Sequence, residues 1–423
     1  MIKLKSSIIN TVNKGLVSIL DQGLFSGISF IVSILLGRWL QPVAYGSYSV
    51  AMSIFLLGSG VYSSIVLEPM SVFGSKAQHN HSEKYSGSIL IMHLVLTGCV
   101  ALILFLSTFL GFLGFNESIS AIRIMALTLP FVLGFWLVRW GLYTQSQPAK
   151  ALRVTIFYST GIMASIIVLK LTGLISSENV FLTTGLVSLL TSLSILWGSR
   201  KHIHRTAVIE HTRMHWGYGK WILLASILQW LSTQFYLVLV STKISLSDGA
   251  GYRAIQNLAQ PLDQVATAMG LLLIPWFSRK FANDSTASLK KIHWVSWILG
   301  LIGLLYLVAA WGGKDFLVHA VYQGKYDGYA WLIPYMVGFP LIFSLSKGAQ
   351  IGVRVLEKPG ILLIAYLCSG IITAIFGPIL INGYGLKGAA VGRLLSAVVF
   401  SLFTYLLYRR NVRELMDKLP VSS

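Results

Sequence analysis

Apolar runs of about 20 residues recur from one end of this chain to the other, each long enough to cross the hydrocarbon core of a bilayer as a helix. No other feature limits the fold so strongly, because a backbone in lipid must satisfy its N–H and C=O groups within the segment itself. Twelve spans are expected, at 16–36, 46–68, 87–112, 119–143, 151–173, 178–198, 218–241, 250–277, 291–311, 329–353, 359–381 and 387–408. A composition of 55% hydrophobic and 11% charged residues agrees, and the fold class is an all-α integral membrane protein. The first span is too long for a cleavable signal, lacks a small-residue cleavage site and leads into a second span, so it is expected to be retained. Cys99 and Cys368 both fall inside predicted spans, which implies no disulfide framework.

The loop charges set the orientation. With a cytoplasmic N-terminus, basic residues gather on the inner side: before the first span, at Lys76 and Lys84, at Lys150 and Arg153, from Arg200 to Lys220, from Arg279 to Lys291, at Arg354 and Lys358, and in the tail. The outer side receives only Arg38, Lys243, Arg253, Lys314, Lys325 and Lys387. This asymmetry places both termini in the cytoplasm. It also accounts for the net charge of +19 through orientation and attraction to anionic membrane lipids, without nucleic acid as a partner.

The longest cytoplasmic connection, 199–216, divides the spans six and six. The expected organisation is therefore an N-lobe at 1–198 (helices 1–6), a basic linker at 199–217 and a C-lobe at 218–423 (helices 7–12) with a cytoplasmic tail. The halves echo each other where the second helix of each set begins, at Gly46-Ser47-Tyr48 and Ala250-Gly251-Tyr252. Two related lobes are a common plan for transporters that expose one site alternately to each side, and an even number of spans per repeat gives both the same orientation.

The polar residues inside spans are few and ordered. At about 100° per residue, Arg253, Asn257, Gln260, Gln264 and Thr267 fall on one line, with Gln256 and Asp263 beside it. Each ionised group near the bilayer centre costs about 2.5 to 3.5 kcal/mol, so this stripe must face protein or water. Interhelical hydrogen bonding would explain the amides alone; Asp263 and Arg253 on one face favour a wet cavity. Pro261 is expected to kink the helix, as a hinge or as a plain structural bend. The first span carries a similar face of Gln22, Ser26, Ser29 and Ser33 beside Asp21, and the seventh carries Ser226, Gln229, Thr233 and Tyr236.

Basic groups within or at the rims of spans are Arg123, Arg139, Lys170, Arg253, Lys347 and Arg393, against Asp21, Glu68 and Asp263. Arg123, Lys170 and Arg253 lie near helix ends, from which their side chains can reach the interface. Arg139, Lys347 and Arg393 sit deeper and need an acid, water or an anionic ligand. Arg suits phosphate because its planar fork meets two oxygens at once. The candidate phosphate contacts are therefore Arg139, Lys347 and Arg393, helped by Arg123 and Arg253; Gln22, Gln229, Asn257 and Gln260 are the candidate polar contacts. Asp21 and Asp263 could titrate or bind Na+ and so couple an ion gradient to transport, or each could pair with an Arg. His79 with His81, and His202 with His204, lack a complete ligand set and read as solvated loop residues, so no metal site is expected. No nucleophile–base pair, Gly-rich phosphate loop or nucleotide motif occurs, so neither enzymatic chemistry nor an organic cofactor is implied.

Three stretches carry a resemblance: "LDQGLFSGISFIVSILLGRWLQPVAYGSYSVAMSI" near the start, "GAGYRAIQNLAQPL" opening the eighth span and "GLKGAAVGRLLSAVVFSLFTYLLY" in the twelfth. They resemble the polysaccharide-transport branch of the multidrug/oligosaccharidyl-lipid/polysaccharide exporter superfamily, which includes bacterial O-antigen and exopolysaccharide flippases. The resemblance covers the whole chain through loose patterns. It implies two six-helix lobes arranged as a V, a cationic cavity and alternating access. It further implies a flippase that turns an undecaprenyl-pyrophosphate-linked oligosaccharide from the inner to the outer leaflet of the bacterial cytoplasmic membrane. Its partners would be the polyprenyl-linked oligosaccharide, membrane lipids and the polymerase and chain-length proteins of the same pathway.

Two other readings compete. A cation-coupled drug exporter of the same fold calls for an acidic cavity, whereas basic groups dominate here. A membrane polymerase or ligase calls for a large outer loop, and the longest outer segment, 311–330, has room only for a short surface helix.

Overall fold

A computed structural model describes residues 2–77, 82–109, 116–196, 205–283 and 285–417. Among them there is helix and no strand. The helices of the first half are α1 (Ile2–Trp39), α2 (Pro42–Tyr62), α3 (Glu68–Ala77), α4 (Ser82–Ser107), α5 (Ile119–Thr144), α6 (Pro148–Leu171) and α7 (Ser177–Leu196). Then come α8 (Arg205–Lys243), α9 (Leu246–Asn283), α10 (Ser285–Gly312), α11 (Lys314–Tyr322), α12 (Ile333–Leu345), α13 (Lys347–Val355) and α14 (Gly360–Met416). Among the described residues nine helices are long and apolar enough to cross a bilayer. The remaining expected spans lie on α7, on α9 and on the second part of α14, which carries two spans. The chain is thus a multi-pass, all-α membrane protein with twelve spanning helices.

Two compact units divide the chain, Met1–Ile227 and Leu228–Ser423, and they meet inside α8. In the first unit α5 is central, packed on α2, α4, α6 and α7, while α1 lies along α6. Its helix face Ile122, Met125, Leu129 and Leu133 is almost fully buried, as a helix enclosed on several sides requires. In the second unit α12 takes the corresponding place among α9, α10 and α14. The fourth span of each half is therefore its axis. The faint sequence echo has a structural counterpart, since Tyr48 and Tyr252 are both buried and each is the seventh residue of its helix.

Local sequence explains the interruptions. Pro42 and Pro148 open α2 and α6, where a missing N–H costs nothing. Pro261 sits inside α9, and the helix continues through it. In α14 the two spans meet at Gly385, whose φ of 56° and ψ of −135° suit glycine alone, and Gly388 lets the Leu380 carbonyl approach where a Cβ would overlap it.

Between α2 and α3 the helix loosens into a π turn, Ser63–Leu67, with Glu68 N–H bonded to the Ser63 carbonyl. Pro69 supplies the cause: it has no N–H to give the Ile65 carbonyl four residues back, and its ring would collide with that oxygen. The freed groups are met by α8. His215 Nδ1 lies 3.0 Å from the Ile65 carbonyl oxygen while its Nε2 is 2.9 Å from the Tyr85 hydroxyl. One turn further on, Gly219 packs so closely on the Ser64 carbonyl that a Cβ would overlap it, and Ser64 Oγ donates to Ser226 Oγ at 3.1 Å. His211 completes the face, with its Nδ1 2.8 Å from Ser88 Oγ. Residues 211, 215, 219 and 226 recur at helical spacing, so one stripe of α8 is stitched to the first unit.

Candidate functional site

In the first unit the deepest charges form an ion pair. Asp21 on α1 is fully buried and Arg139 on α5 is 7% exposed. Arg139 donates to Asp21 Oδ2 from Nε (3.0 Å) and Nη2 (2.5 Å), and Tyr143, one turn further along α5, donates to the same oxygen. The guanidinium also reaches Thr155 Oγ1 (3.2 Å) and Gln22 Oε1 (3.0 Å), and its plane lies 4.6 Å from the Phe25 ring. Burial of two charges is tolerable because they meet in this geometry. One atom is left over: Asp21 Oδ1 is buried without a hydrogen-bond partner.

In the second unit the basic groups lack such an acid. Arg253 and Asn257 on α9 and Arg393 on α14 are all buried. The Gln256 amide lies between the guanidiniums, with Arg253 Nη1 3.4 Å from one end and Arg393 Nη1 and Nη2 2.7 and 3.0 Å from the other. One amide oxygen cannot serve both; in the orientation that satisfies Arg393, Arg253 faces an N–H group. Arg393 also donates to the Thr233 carbonyl (3.2 Å) and covers the Phe339 ring at 4.3 Å, but its Nε is buried with no acceptor. The buried Tyr252 hydroxyl lies close to the same guanidinium. Among the described residues no carboxylate lies within 4 Å of either guanidinium. Two buried positive charges without a counter-ion make an arrangement that an anion would complete.

Lys347 and Asp263 lie next to this cluster. Lys347 is the first residue of α13, where the tenth span breaks after Ser346, and its side chain runs past Gly270 of α9. Asp263 is half-buried, within electrostatic reach of Arg393 and Lys347, and has no ion-pair contact among the described residues. Gln260 donates to Asn257 Oδ1 at 3.3 Å. The polar stripe of α9 thus splits: Arg253 to Asn257 is enclosed, while Gln264 and Thr267 are exposed.

The other candidates stand apart. Arg123 donates from Nε to Thr108 Oγ1 (2.9 Å) and covers Phe109 at 4.2 Å, the placement of a side chain reaching from a helix end. Gln22 is exposed beside Arg139, and Gln229 is exposed on α8. His79, His81, His202 and His204 lie outside the described residues. Among the described residues no group of His, Cys, Asp and Glu could hold a metal ion. Gln256, Tyr143 and Thr155 were not among the candidates; spacing offered a hint for the first two, three residues after Arg253 and four after Arg139, but Thr155 is brought in only by the packing of α6.

Solved structures share this fold. A multidrug resistance MATE family transporter of the MOP superfamily, in an inward-facing conformation, superposes with a TM-score of 0.72 at 12% identity over 94% of this chain and 96% of that one. The lipid II flippase MurJ, in an inward closed conformation, gives 0.74 at 11% identity over 94% and 87%. A MOP superfamily transporter from Pyrococcus furiosus, described as having a binding pocket of reversed polarity, gives 0.60 at 14% identity over 95% and 96%. These likenesses define the class as a protein of the MOP transporter fold. No curated protein sequence matches the chain. Residues 11–281 match the family described as "Polysaccharide biosynthesis protein", and the chain belongs to that family.

Proposed function

We propose that the protein is a flippase that carries an undecaprenyl-pyrophosphate-linked oligosaccharide from the inner to the outer leaflet of a bacterial cytoplasmic membrane, with both termini in the cytoplasm. The observation that carries this reading is the pair Arg253 and Arg393, buried around a single amide and lacking a carboxylate. In a low-dielectric interior such a pair attracts a doubly charged head group strongly, and each fork can take two phosphate oxygens. Both arginines are at most 8% exposed, so a phosphate enters only when the surrounding helices part. Lys347 adds a third charge at the break in its span, where unwound backbone in transporters meets ligands. Asn257 and Gln260 supply hydrogen bonds beside it.

Arg139 has a different part, because Asp21 already holds its fork. Asp21 and Asp263 are the carboxylates proposed to couple H+ or Na+ to the cycle: the first has an unbonded oxygen and the second lacks an ion-pair partner. Polymerase and chain-length proteins of the same pathway would receive the product. The test replaces Arg253, Lys347 and Arg393 singly with Ala in cells that depend on this protein for surface polysaccharide. Loss of polymer at normal protein abundance is expected for Arg253 and Arg393; normal polymer in both would sink the reading. Resistance to cationic dyes conferred by the unaltered protein would instead favour a drug exporter.

A further inference from the structure

The first unit contains a partly open cavity of about 100 Å³ that the anion cluster does not use, lined by α1, α2, α5, α6 and α7. Aromatic and aliphatic side chains share its walls with the hydroxyls of Ser29, Thr128 and Thr184. Trp136 stands edge-on to Phe25 (6.2 Å, 82°) and Phe55 (6.0 Å, 89°), while Tyr48 and Phe181 stack at 5.0 Å opposite. Engineered apolar cavities of roughly 150 Å³ accept a benzene molecule, so this space must widen to take a six-membered ring.

The polar atoms in the walls say what kind of ring. Ser29, Thr128 and Thr184 each give their hydroxyl proton to a carbonyl of their own helix, at 2.9, 2.9 and 2.7 Å. Each can therefore only accept from an occupant, which must bring its own O–H or N–H donors. Trp136 also lines the space, and its indole N–H makes no hydrogen bond among the described residues. A polyprenyl or acyl chain has nothing to exchange with these groups. An organic cation finds no carboxylate in the walls, and the Arg139 guanidinium, which covers the face of Phe25, places a positive charge beside them. A neutral pyranose satisfies every condition, since its hydroxyls donate and accept and its C–H faces pack against aromatic rings.

We propose that this cavity is a subsite for one neutral pyranose residue of the cargo. The proposal rests on the flippase reading for the identity of the cargo, but free sugar binding tests it without the lipid or the pyrophosphate. The experiment is saturation-transfer NMR on the full chain in lipid nanodiscs, with methyl glycosides of glucose, galactose, mannose, rhamnose and N-acetylglucosamine, and with tetraphenylphosphonium as the cationic rival. Transfer to at least one glycoside is expected, falling at least fivefold in Trp136→Ala and Thr184→Val and persisting in Arg393→Ala. Should Trp136→Ala fail to assemble, Trp136→Phe keeps the packing, removes the N–H donor and is expected to weaken transfer. Absence of transfer to all five glycosides, transfer that survives both cavity substitutions, or transfer to tetraphenylphosphonium alone would overturn it. If glycoside transfer behaves as expected while Arg253→Ala and Arg393→Ala leave polymer normal, the subsite stands and the pyrophosphate reading falls.

Discussion

The ion pair between Asp21 and Arg139 makes a sharp thermodynamic test. Its side chains are 0% and 9% exposed, so neither charge can turn to water when the other is removed. Asp21→Ala deletes the acceptor of two guanidinium bonds and of the Tyr143 hydroxyl, and strands a buried cation. Breaking such a pair from one side costs about 3 to 5 kcal/mol. Replacing both partners by apolar residues of similar volume removes the stranded charge, so Asp21→Leu with Arg139→Met should recover most of the loss and come within about 1 kcal/mol of the unaltered protein. The assay is reversible unfolding in mixed micelles titrated with SDS, followed by near-ultraviolet circular dichroism, on both single variants and the double. A double variant as unstable as the sum of the singles would refute the reasoning, because two independent contacts would then have been lost rather than one pair. So would an Asp21→Ala variant within about 0.5 kcal/mol of the unaltered protein, the range of an ordinary exposed site.

His215→Ala should cost about 1 to 3 kcal/mol in the same titration, since it leaves both the Ile65 carbonyl and the Tyr85 hydroxyl short of a partner; an unchanged midpoint would mean that water replaces the imidazole. Gly219→Val forces side-chain atoms into the Ser64 carbonyl and should destabilise by about 1 to 3 kcal/mol, whereas Gly217→Val, where nothing lies within 4 Å of the added Cβ, should lose far less. Gly385→Ala meets open space but must hold φ at +56° with ψ at −135°, and backbone strain of about 1 to 3 kcal/mol is expected from the loss in folded yield or unfolding midpoint.

The reach of the sequence can be judged residue by residue. Apolar run length placed every span on a helix, because in lipid the backbone has no alternative. Helical spacing put Arg253 and Asn257 on one face, and both are buried in the second unit. Spacing could not say where along α9 that face stops being covered, since this depends on which helices pack against its first turns. Nor could it show that Arg139 is neutralised: Asp21 is a long way off in sequence, and only the packing of α1, α5 and α6 brings the carboxylate, the guanidinium and Thr155 together. Arg393 looks equally deep in its span, yet among the described residues no acid comes within 4 Å of it, and Asp263 acts on it only from a distance. The π turn at Ser63–Leu67 had a legible cause in Pro69, but its partners on α8 are contacts of high sequence separation that no local pattern reveals.

The stripe of α8 that closes over the π turn also bears on how the chain can be cut. A natural place to express the protein as two separate pieces is the basic linker, which divides the spans six and six. Such a cut, made before residue 205, would leave the first piece with the Ile65 and Ser64 carbonyls and the Ser64 hydroxyl bare, since His215, Gly219 and Ser226 would be delivered on the second. A first piece ending at Ile227 takes its own cover with it, at the cost of ending partway along a helix. Reassembly of the pieces should therefore depend on which one carries residues 205–227, even though both versions contain the same complete sequence between them.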